Sequence, residues 1–331
     1  MTGYRLGRSS ATLVACWMVC AAAMALENDT AVARVQRMIV AAKSLDYDGV
    51  FIYQHAHTLN TLRVIHRGSG EAERERIISL SGPSREVIRE GHRVTVKFAA
   101  DHAVLVEEQQ PGERLNFALL DSPDSLSTRY QFQLENTDRI AGRAAQVVGI
   151  SARSADRYAY RLWIDEASDL LLKCVILDLN GQTLEAEQFA VVTIGVPPTD
   201  ESLKSELTGN NFDEYVHEGE LIPSVTPISG PSNWRVAWLP IGFAQHRDQT
   251  RQPSASRQPV RHFVYSDGLA AVSVFIEKLG GDASPLIGDS NLGAVNIFSR
   301  TLAGHQITVV GQMPLATIRQ IAASVAPQTP E

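Results

Sequence analysis

Residues 157–194 read RYAYRLWIDEASDLLLKCVILDLNGQTLEAEQFAVVTI and contain three apolar segments, 157–165, 170–178 and 183–194. The two-residue period of a β-strand places four large side chains of the first segment on one face: Tyr158, Tyr160, Leu162 and Ile164. Asn180-Gly181 separates the second and third segments and is a strong signal for a tight hairpin turn. The stretch therefore predicts three consecutive antiparallel strands.

Similar segments recur at short, regular spacing outward from this stretch. They are 48–55, 60–67, 75–80, 85–98, 102–107, 129–134 and 144–150. About ten strands without helical crossovers predict an α+β fold built on an antiparallel sheet that is large enough to curl. One helix precedes the strands, capped by Asp29 or Thr30. Its apolar stripe is predicted at helical spacing: Val32, Val35, Ile39, Ala42 and Leu45.

The apolar face of these strands has two interpretations. For any single residue, packing against the N-terminal helix is the simpler one. A sheet of about ten strands nevertheless offers more apolar area than a helix of about four turns covers, so further helices or a ligand must cover the rest. Six side chains are the candidates for lining an apolar lipid cavity: Phe51, Tyr53, Tyr158, Tyr160, Leu162 and Ile164.

Residues 1–25 predict a secretory signal peptide and hence a periplasmic location. Arg5 and Arg8 form a basic start, residues 11–22 are apolar, and residues 23–25 offer small side chains at a cleavage site. The apolar run is too short for a membrane-spanning helix, which needs about 20 residues. A lipobox-like sequence at 13–16, which would make Cys16 a lipidated anchor, is the alternative.

Removal of the signal peptide sets the chemistry of the mature chain. The formal charge changes from −7 to −9, because two arginines are lost, and Cys174 is left as the last of three cysteines. No internal disulfide can form, so hydrophobic burial must hold the fold together. The acidic balance, without a clustered basic face, argues against a nucleic-acid partner.

The C-terminal third predicts a second, smaller domain. The domain built on the large sheet spans 26–207, with a short helix near its end at 200–207. Residues 208–232 are rich in proline and acids and predict a linker. Residues 233–331 predict an α+β domain with a polar loop at 244–260 and a final helix that begins at Pro314.

The hairpin HFVYSDGLAAVSVFIE, residues 262–277, is predicted to be the scaffold of this smaller domain, with a tight turn at Ser266-Asp267-Gly268.

The chain contains none of the motifs of the common fold-linked enzyme classes. G-x-S-x-G, H-E-x-x-H, the phosphate loop and G-x-G-x-x-G are all missing from the sequence. His55 and His57 have the spacing of a two-histidine metal site, but no cysteine or acid stands near them in the sequence. The sequence therefore predicts a protein that is not an enzyme and has no cofactor and no metal.

Several motifs, in order, resemble the MucB/RseB family of sigma-E regulatory proteins. They are SLDYDGVFIYQH (44–55), LRVIHR (62–67), SLSGPSREVIREG (79–91), the long run from Arg139 to Phe189, WLPIGF (238–243), YSDGLAAVSVFIE (265–277) and ITVVGQMP (307–314). The resemblance runs from about residue 44 to the end of the chain.

The resemblance implies a function as well as a fold. Family members are similar to lipoprotein carriers in their large domain, a half-barrel closed by helices around an apolar cavity. They bind the periplasmic part of a membrane anti-sigma factor of the RseA/MucA type and shield it from a regulated protease. For such a partner, the edge of the 262–277 hairpin could hold an extended segment by strand addition, or every apolar residue in the hairpin could be core. The resemblance thus makes five residues candidates for partner binding: Trp234, Trp238, Tyr265, Asp267 and Leu269. The acyl chains of lipopolysaccharide or lipidated proteins are expected to release that shield.

Two other classes of protein compete with this interpretation. A periplasmic lipid or lipoprotein carrier would use the same large domain but would not need residues 233–331. A hydrolase would need a polar constellation that the sequence does not show. The sequence leaves homo-oligomerisation open.

Overall fold

The computed structural model describes residues 30–56, 58–68, 73–91, 93–100, 103–108, 126–207, 213–217, 233–251, 259–280 and 284–328. At 105–108, 213–217 and 251 the description covers the backbone alone. The predicted signal peptide, His57 and most of the predicted linker lie outside the described residues.

The first helix, α1 (Ala31–Ser44), is capped as predicted by Thr30, whose hydroxyl oxygen accepts a hydrogen bond from the Ala33 backbone N–H at 3.1 Å. Its buried stripe differs from the predicted one, with only Val35 in common. The residues buried on it are Ala31, Arg34, Val35, Met38 and Ala41. Arg34 can lie on this face because it forms an ion pair with Asp169 at 3.2 Å, a partner 135 positions away in the chain that helical periodicity cannot identify.

The larger sheet has twelve strands. They are β1 (Tyr47–His55), β2 (Thr58–Arg67), β3 (Arg74–Ser79), β4 (Arg85–Glu90), β5 (Arg93–Phe98), β6 (Ala103–Glu108), β7 (Tyr130–Ile140), β8 (Arg143–Ala152), β9 (Ala159–Asp165), β10 (Leu171–Leu177), β11 (Thr183–Ile194) and β12 (Asp213–His217). Their order is β12-β6-β5-β4-β3-β2-β1-β11-β10-β9-β8-β7. Two meanders, β1–β6 and β7–β11, are thus joined by the pairing of β1 with β11, and the prediction of a large antiparallel sheet is confirmed.

One pair in this sheet is parallel. Strand β12, which lies within the predicted linker, pairs with the edge strand β6 in parallel. Residues 213–217 therefore extend the large sheet.

The segment that leaves β11 is held against the sheet by charged groups. Arg76 is buried and forms an ion pair with buried Glu86 at 2.7 Å, and its guanidinium also donates to the Ser202 carbonyl oxygen at 3.1 Å. Residues 200–206 form turns, so the prediction of a short helix there is wrong. The backbone of this segment bonds instead to charged side chains of the sheet: the Leu207 carbonyl oxygen accepts from Lys97, and the Glu206 N–H donates to the Glu86 carboxylate.

The smaller domain is a six-stranded antiparallel sheet with one helix and a short two-stranded sheet. Its elements are β13 (Trp234–Val236), β14 (Ala244–Arg251), β15 (Val260–Ser266), β16 (Ala271–Lys278), β17 (Gly288–Leu292), β18 (Val295–Leu302), β19 (His305–Gly311), α2 (Leu315–Ser324) and β20 (Val325–Pro327). The order is β14-β15-β16-β19-β18-β17, and β13 pairs with β20. Helix α2 begins after Pro314 as predicted and buries Ile318 and Ile321 against the sheet.

One local prediction for this domain is wrong, and another holds with a shift of one residue. Residues 244–251 form the edge strand β14 within the region predicted to be a polar loop, because seven of the eight residues pair with β15 through their backbone whatever the polarity of the side chains. The predicted tight turn is present one residue further along the chain: Asp267–Ala270 connect the strands, and the Asp267 backbone N–H donates to the Ala270 carbonyl oxygen at 3.1 Å. The Asp267 carboxylate stabilises it by accepting from the backbone N–H groups of Leu269 at 3.0 Å and Ala270 at 2.8 Å.

Candidate functional site

One face of the large sheet, here called the inner face, is defined by two rows of side chains in register. Residues paired across neighbouring strands share a face. The first row is Leu134, Val148, Leu162, Cys174, Glu187, Tyr53 and Asn60. The second row is Phe132, Ile150, Tyr160, Ile176, Glu185, His55 and Thr58.

Protein atoms fill one half of the inner face. Tyr158, Tyr160, Leu162 and Ile164 are all buried in one core cluster with Val35 and Met38 of α1. Two residues of the smaller domain, Leu269 and Ala294, complete the same cluster. Four of the six predicted cavity residues therefore contact the helix and the smaller domain in this structure, and their contact with a lipid stays a prediction.

The other half of the inner face is only partly covered. Phe51 and Tyr53 of β1 and Phe189 of β11 are half-buried. Phe51 and Phe189 form an edge-to-face pair with centroids 6.1 Å apart, and Tyr53 stacks on His55 at 5.0 Å. These rings form an aromatic surface next to the filled half, on the side where an apolar ligand would find area to bury.

Two glutamates of β11 lie on this otherwise apolar face. Glu185 is buried, and one carboxylate oxygen accepts a hydrogen bond from the Ala294 backbone N–H at 2.8 Å, in the smaller domain. Glu187 is half-buried and makes no hydrogen bond or ion pair with the described residues. Burial, and next the neighbouring Glu185 charge, raise the pKa of Glu187 to about 7.

Two other ionisable groups beside Glu187 on this face, the Tyr53 hydroxyl and the Cys174 thiol, stay protonated. Burial, followed by the nearby Glu185 carboxylate, raises the pKa of Tyr53 far above its ordinary value. Burial also raises the pKa of the Cys174 thiol, which lies in the core. His55 lies beside Asn60, with its ring Nε2 3.4 Å from the amide nitrogen.

The prediction of no metal concerns His55 and His57. No group of three or more His, Cys, Asp or Glu side chains able to hold a metal ion occurs in the part of the chain that the structure describes. His57 lies outside that part.

The two sheets meet at a buried polar junction. Asp267 of the hairpin connection accepts hydrogen bonds from the Arg157 Nε at 2.6 Å and from the Tyr130 hydroxyl at 3.0 Å. Both donors belong to the large domain, and Arg157 also donates to the Ile241 carbonyl oxygen of the smaller domain. Burial, and next the Asp267 charge, raise the pKa of Tyr130, so its hydroxyl remains a donor.

A second set of contacts lies beside this junction. Buried Asn296 donates through its side-chain amide to the Tyr158 hydroxyl at 2.9 Å and to the Met313 carbonyl oxygen at 2.7 Å. Together with the bond between Ala294 and Glu185, these contacts connect the β17–β18 turn to the inner face.

The five predicted partner-binding residues occupy different environments. Asp267 and Leu269 are buried at the junction, and Tyr265 is buried in the core of the smaller domain, where burial raises its pKa to about 12. Trp234 and Trp238 are partly buried on that core, and the Trp234 ring packs edge-on against His305 at 4.9 Å. Trp234 and Trp238 are thus partly accessible in this conformation, whereas the side chains of the other three are buried, and partner binding by any of the five stays a prediction.

Four residues that organise these sites were not predicted from the sequence: Arg157, Glu185, Glu187 and Asn296. The sequence does contain a pattern that could have identified the two glutamates, because acids two positions apart in the strand LEAEQF must lie on one face of the sheet. Arg157 and Asn296 carried no such signal, because their partners belong to the other domain.

No helix among the described residues has the length and apolar character needed to cross a membrane. A large sheet with a partly covered apolar face, docked to a second sheet through buried polar groups, defines a two-domain binding protein. Family models described as the MucB/RseB N-terminal domain and the MucB/RseB C-terminal domain match residues 30–207 and 229–326. The chain belongs to the MucB/RseB family.

Individual relatives agree with this assignment over nearly the whole chain. The sigma factor AlgU regulatory protein MucB of Pseudomonas aeruginosa is 30% identical over 302 residues, covering 89% of this chain and 90% of that protein. The sigma-E factor regulatory protein RseB of Escherichia coli K12 is 27% identical, covering 88% of this chain and 89% of that protein. The crystal structure of MucB in complex with MucA(peri) is similar with a TM-score of 0.72 and 29% identity, over 91% of this chain and 100% of that chain.

Proposed function

We propose that this protein is a periplasmic negative regulator of a sigma-factor-dependent envelope stress response. It binds the periplasmic part of a membrane anti-sigma factor and shields that segment from regulated proteolysis. The observation that carries the proposal is the likeness, across both domains, to a MucB chain crystallised with MucA(peri). The basic start and apolar run of residues 1–25 support export to the periplasm.

Titration of the periplasmic segment of the cognate anti-sigma factor into the purified mature protein tests this proposal. We expect saturable one-to-one binding by calorimetry and slower cleavage of the segment by a protease in the complex than alone. A folded protein that neither binds the segment nor slows its cleavage would overturn the proposal.

The proposed organisation assigns the two activities to the two domains, 26–207 for the apolar ligand and 233–331 for the partner, with 208–232 between them. Trp234 supports the second assignment because it is partly accessible on the smaller domain. A Trp234→Ala variant should bind the anti-sigma segment at least tenfold more weakly while its circular dichroism matches wild type. Unchanged affinity would exclude Trp234 from the docking surface.

The proposed signal for release is the acyl chain of lipopolysaccharide or of a lipidated protein, bound on the inner face. The half-buried rings of Phe51, Tyr53 and Phe189 support this part of the proposal. Each buried methylene is worth roughly 0.8 kcal/mol, so about ten of them supply on the order of 8 kcal/mol before ordering costs. A coupling of about 3 kcal/mol between ligand and partner already changes affinity about a hundredfold.

The inner face and the smaller domain share a core cluster, which supports linkage between the two ligands. An acyl chain that displaces Leu269 or Ala294 from that cluster must also disturb the junction around Asp267. Linkage requires the effect to be reciprocal. Calorimetric titrations of the anti-sigma segment with and without a saturating acylated ligand should differ in affinity, and equal affinities would remove the release step.

A lipid or lipoprotein carrier is the second candidate function. The carrier proposal rests on the partly covered inner face alone. Uptake of a fluorescent acyl probe without any affinity for the anti-sigma segment would favour it over the regulator.

A further inference from the structure

Glu187 is the one carboxylate among the seven described side chains of its row on the inner face. Its neighbours across the strands are the Tyr53 ring and the Cys174 thiol, and the row continues with Leu162 and Val148. A carboxylate removed from bulk water is costly unless it is hydrogen-bonded or paired. Glu187 has neither kind of partner among the described residues, although its side chain retains some accessible surface.

Glu185, the other glutamate of β11 on this face, has hydrogen-bond donors for its carboxylate. Glu185 accepts from the Ala294 N–H at 2.8 Å and lies 3.4 Å from the Gln312 side-chain nitrogen. These contacts hold Glu185 against the smaller domain. Glu187 is two residues further along β11, beyond those donors and beside the partly exposed aromatic rings of Phe51, Tyr53 and Phe189.

We propose that Glu187 is a recognition group of the inner face and selects an amphiphile that presents a hydrogen-bond donor, a hydroxyl, an amide N–H or an ammonium, at one end of an alkyl chain. The inference rests on the proposed acyl-binding function of the inner face. An alkyl chain with a donor satisfies the carboxylate while its methylenes cover the aromatic surface. A chain that places a carboxylate or phosphate at that point meets two like charges, Glu185 and Glu187, and is disfavoured.

The electrostatics of the face agree with this selectivity. Burial and the Glu185 charge raise the pKa of Glu187 to about 7, so both forms of the carboxyl group are populated near neutral pH. An ammonium ligand stabilises the ionised form, and a hydroxyl can bond to either form. Tyr53 and Cys174, the other titratable groups beside it, remain neutral in this range because burial raises the pKa of both.

A matched series of ligands tests the proposal in the full mature protein. Decylamine, decanol and decanoate have the same chain length and differ in the group that meets the carboxylate. Their affinities would be measured at pH 8 by displacement of a bound fluorescent acyl probe. We expect decylamine and decanol to bind at least tenfold more tightly than decanoate, because a hydrogen bond to a charged group is worth about a factor of ten or more.

Two substitutions at Glu187 and one elsewhere separate local recognition from the general acidity of the chain. Glu187→Gln should reduce the preference for decylamine over decanoate by at least fivefold, and Glu187→Leu should also weaken decanol. Glu201→Gln, at a side chain that is 84% exposed, should leave all the ratios unchanged.

The outcomes separate the inference from the function on which it rests. Equal binding of the three ligands to wild type, or a preference that survives Glu187→Gln, would overturn the role of Glu187 and leave acyl binding intact. If no ligand binds the folded wild-type protein, the acyl-binding part of the proposed function fails and the inference fails with it.

Discussion

The Asp267 carboxylate of the smaller domain lies 2.6 Å from the Arg157 Nε of the large domain, and both side chains are buried. The two residues are 110 positions apart in the chain. Tyr130 donates to the same carboxylate oxygen as Arg157. The hairpin connection that carries Asp267 therefore fastens one sheet to the other.

Replacing Asp267 should weaken this junction severely. Asp267→Asn preserves an oxygen for the backbone N–H groups of the connection but removes the buried carboxylate charge that faces Arg157. The other acidic partner of Arg157, Asp156, is less buried, so the free energy of unfolding should still fall by about 3 kcal/mol. Urea denaturation measures the change. Asp289→Asn is the matched control, because its ion pair with Arg319 is exposed and should contribute less than about 1 kcal/mol. Equal stability of the two variants would contradict the prediction.

The stability of the protein should depend on pH through Glu187. Its folded-state pKa of about 7 lies above the value of about 4.3 expected in the unfolded chain, so the folded state binds more protons between these values. Stability should therefore fall as pH rises from about 4.5 to about 7, by up to about 3 kcal/mol from this group.

Comparison with Glu187→Gln isolates that contribution. The variant should gain stability over wild type at pH 8 relative to pH 5, as measured by the urea midpoint at each pH. The groups that face Glu187 are Glu185, Tyr53 and Cys174, and none of them is changed in the variant. Glu201→Gln should follow the wild-type pH dependence, and an identical dependence in Glu187→Gln would refute the prediction.

The packed half of the inner face should be sensitive to loss of volume. Leu162 is fully buried between the sheet and α1, so Leu162→Ala should lower the free energy of unfolding by about 2–5 kcal/mol. Leu179 is 55% exposed in a turn, and Leu179→Ala should have an effect within about 0.5 kcal/mol. Thermal unfolding of the two variants provides the comparison. A small loss at Leu162 would mean that this part of the face is a loosely filled cavity.

Gly49 should not tolerate a larger side chain. An added β-carbon would lie 2.7 Å from the Val191 carbonyl oxygen and 2.8 Å from the Phe189 ring. Gly49→Ala should therefore destabilise the protein by about 1–3 kcal/mol and shift the Phe189 ring, which near-ultraviolet circular dichroism can detect. At Gly280 an added β-carbon meets nothing within 4 Å, so Gly280→Ala should be close to neutral. If Gly49→Ala were as stable as the wild-type protein, the prediction would be wrong and the backbones of β1 and β11 would have to lie further apart at this position.

Most of the strands and the sheet type could be predicted from the sequence, because side-chain alternation and turn residues act within a few positions of the chain. Strands β12 and β14 could not, because they pair with a neighbouring strand without an alternating apolar pattern of their own. The alternation at 158–164 correctly placed Tyr158, Tyr160, Leu162 and Ile164 on one buried face. The motif order likewise indicated the family, which the matches across both domains confirm.

The burial of the predicted site residues depends on contacts between the two domains. Asp267 and Leu269 were predicted to be candidates for partner binding, but both are buried because side chains of the large domain pack against them. The half-covered rings around Glu187 depend on where α1 and the smaller domain end on the sheet. Such long-range packing joins residues more than 100 positions apart, and no local pattern encodes which distant partner satisfies a given charge.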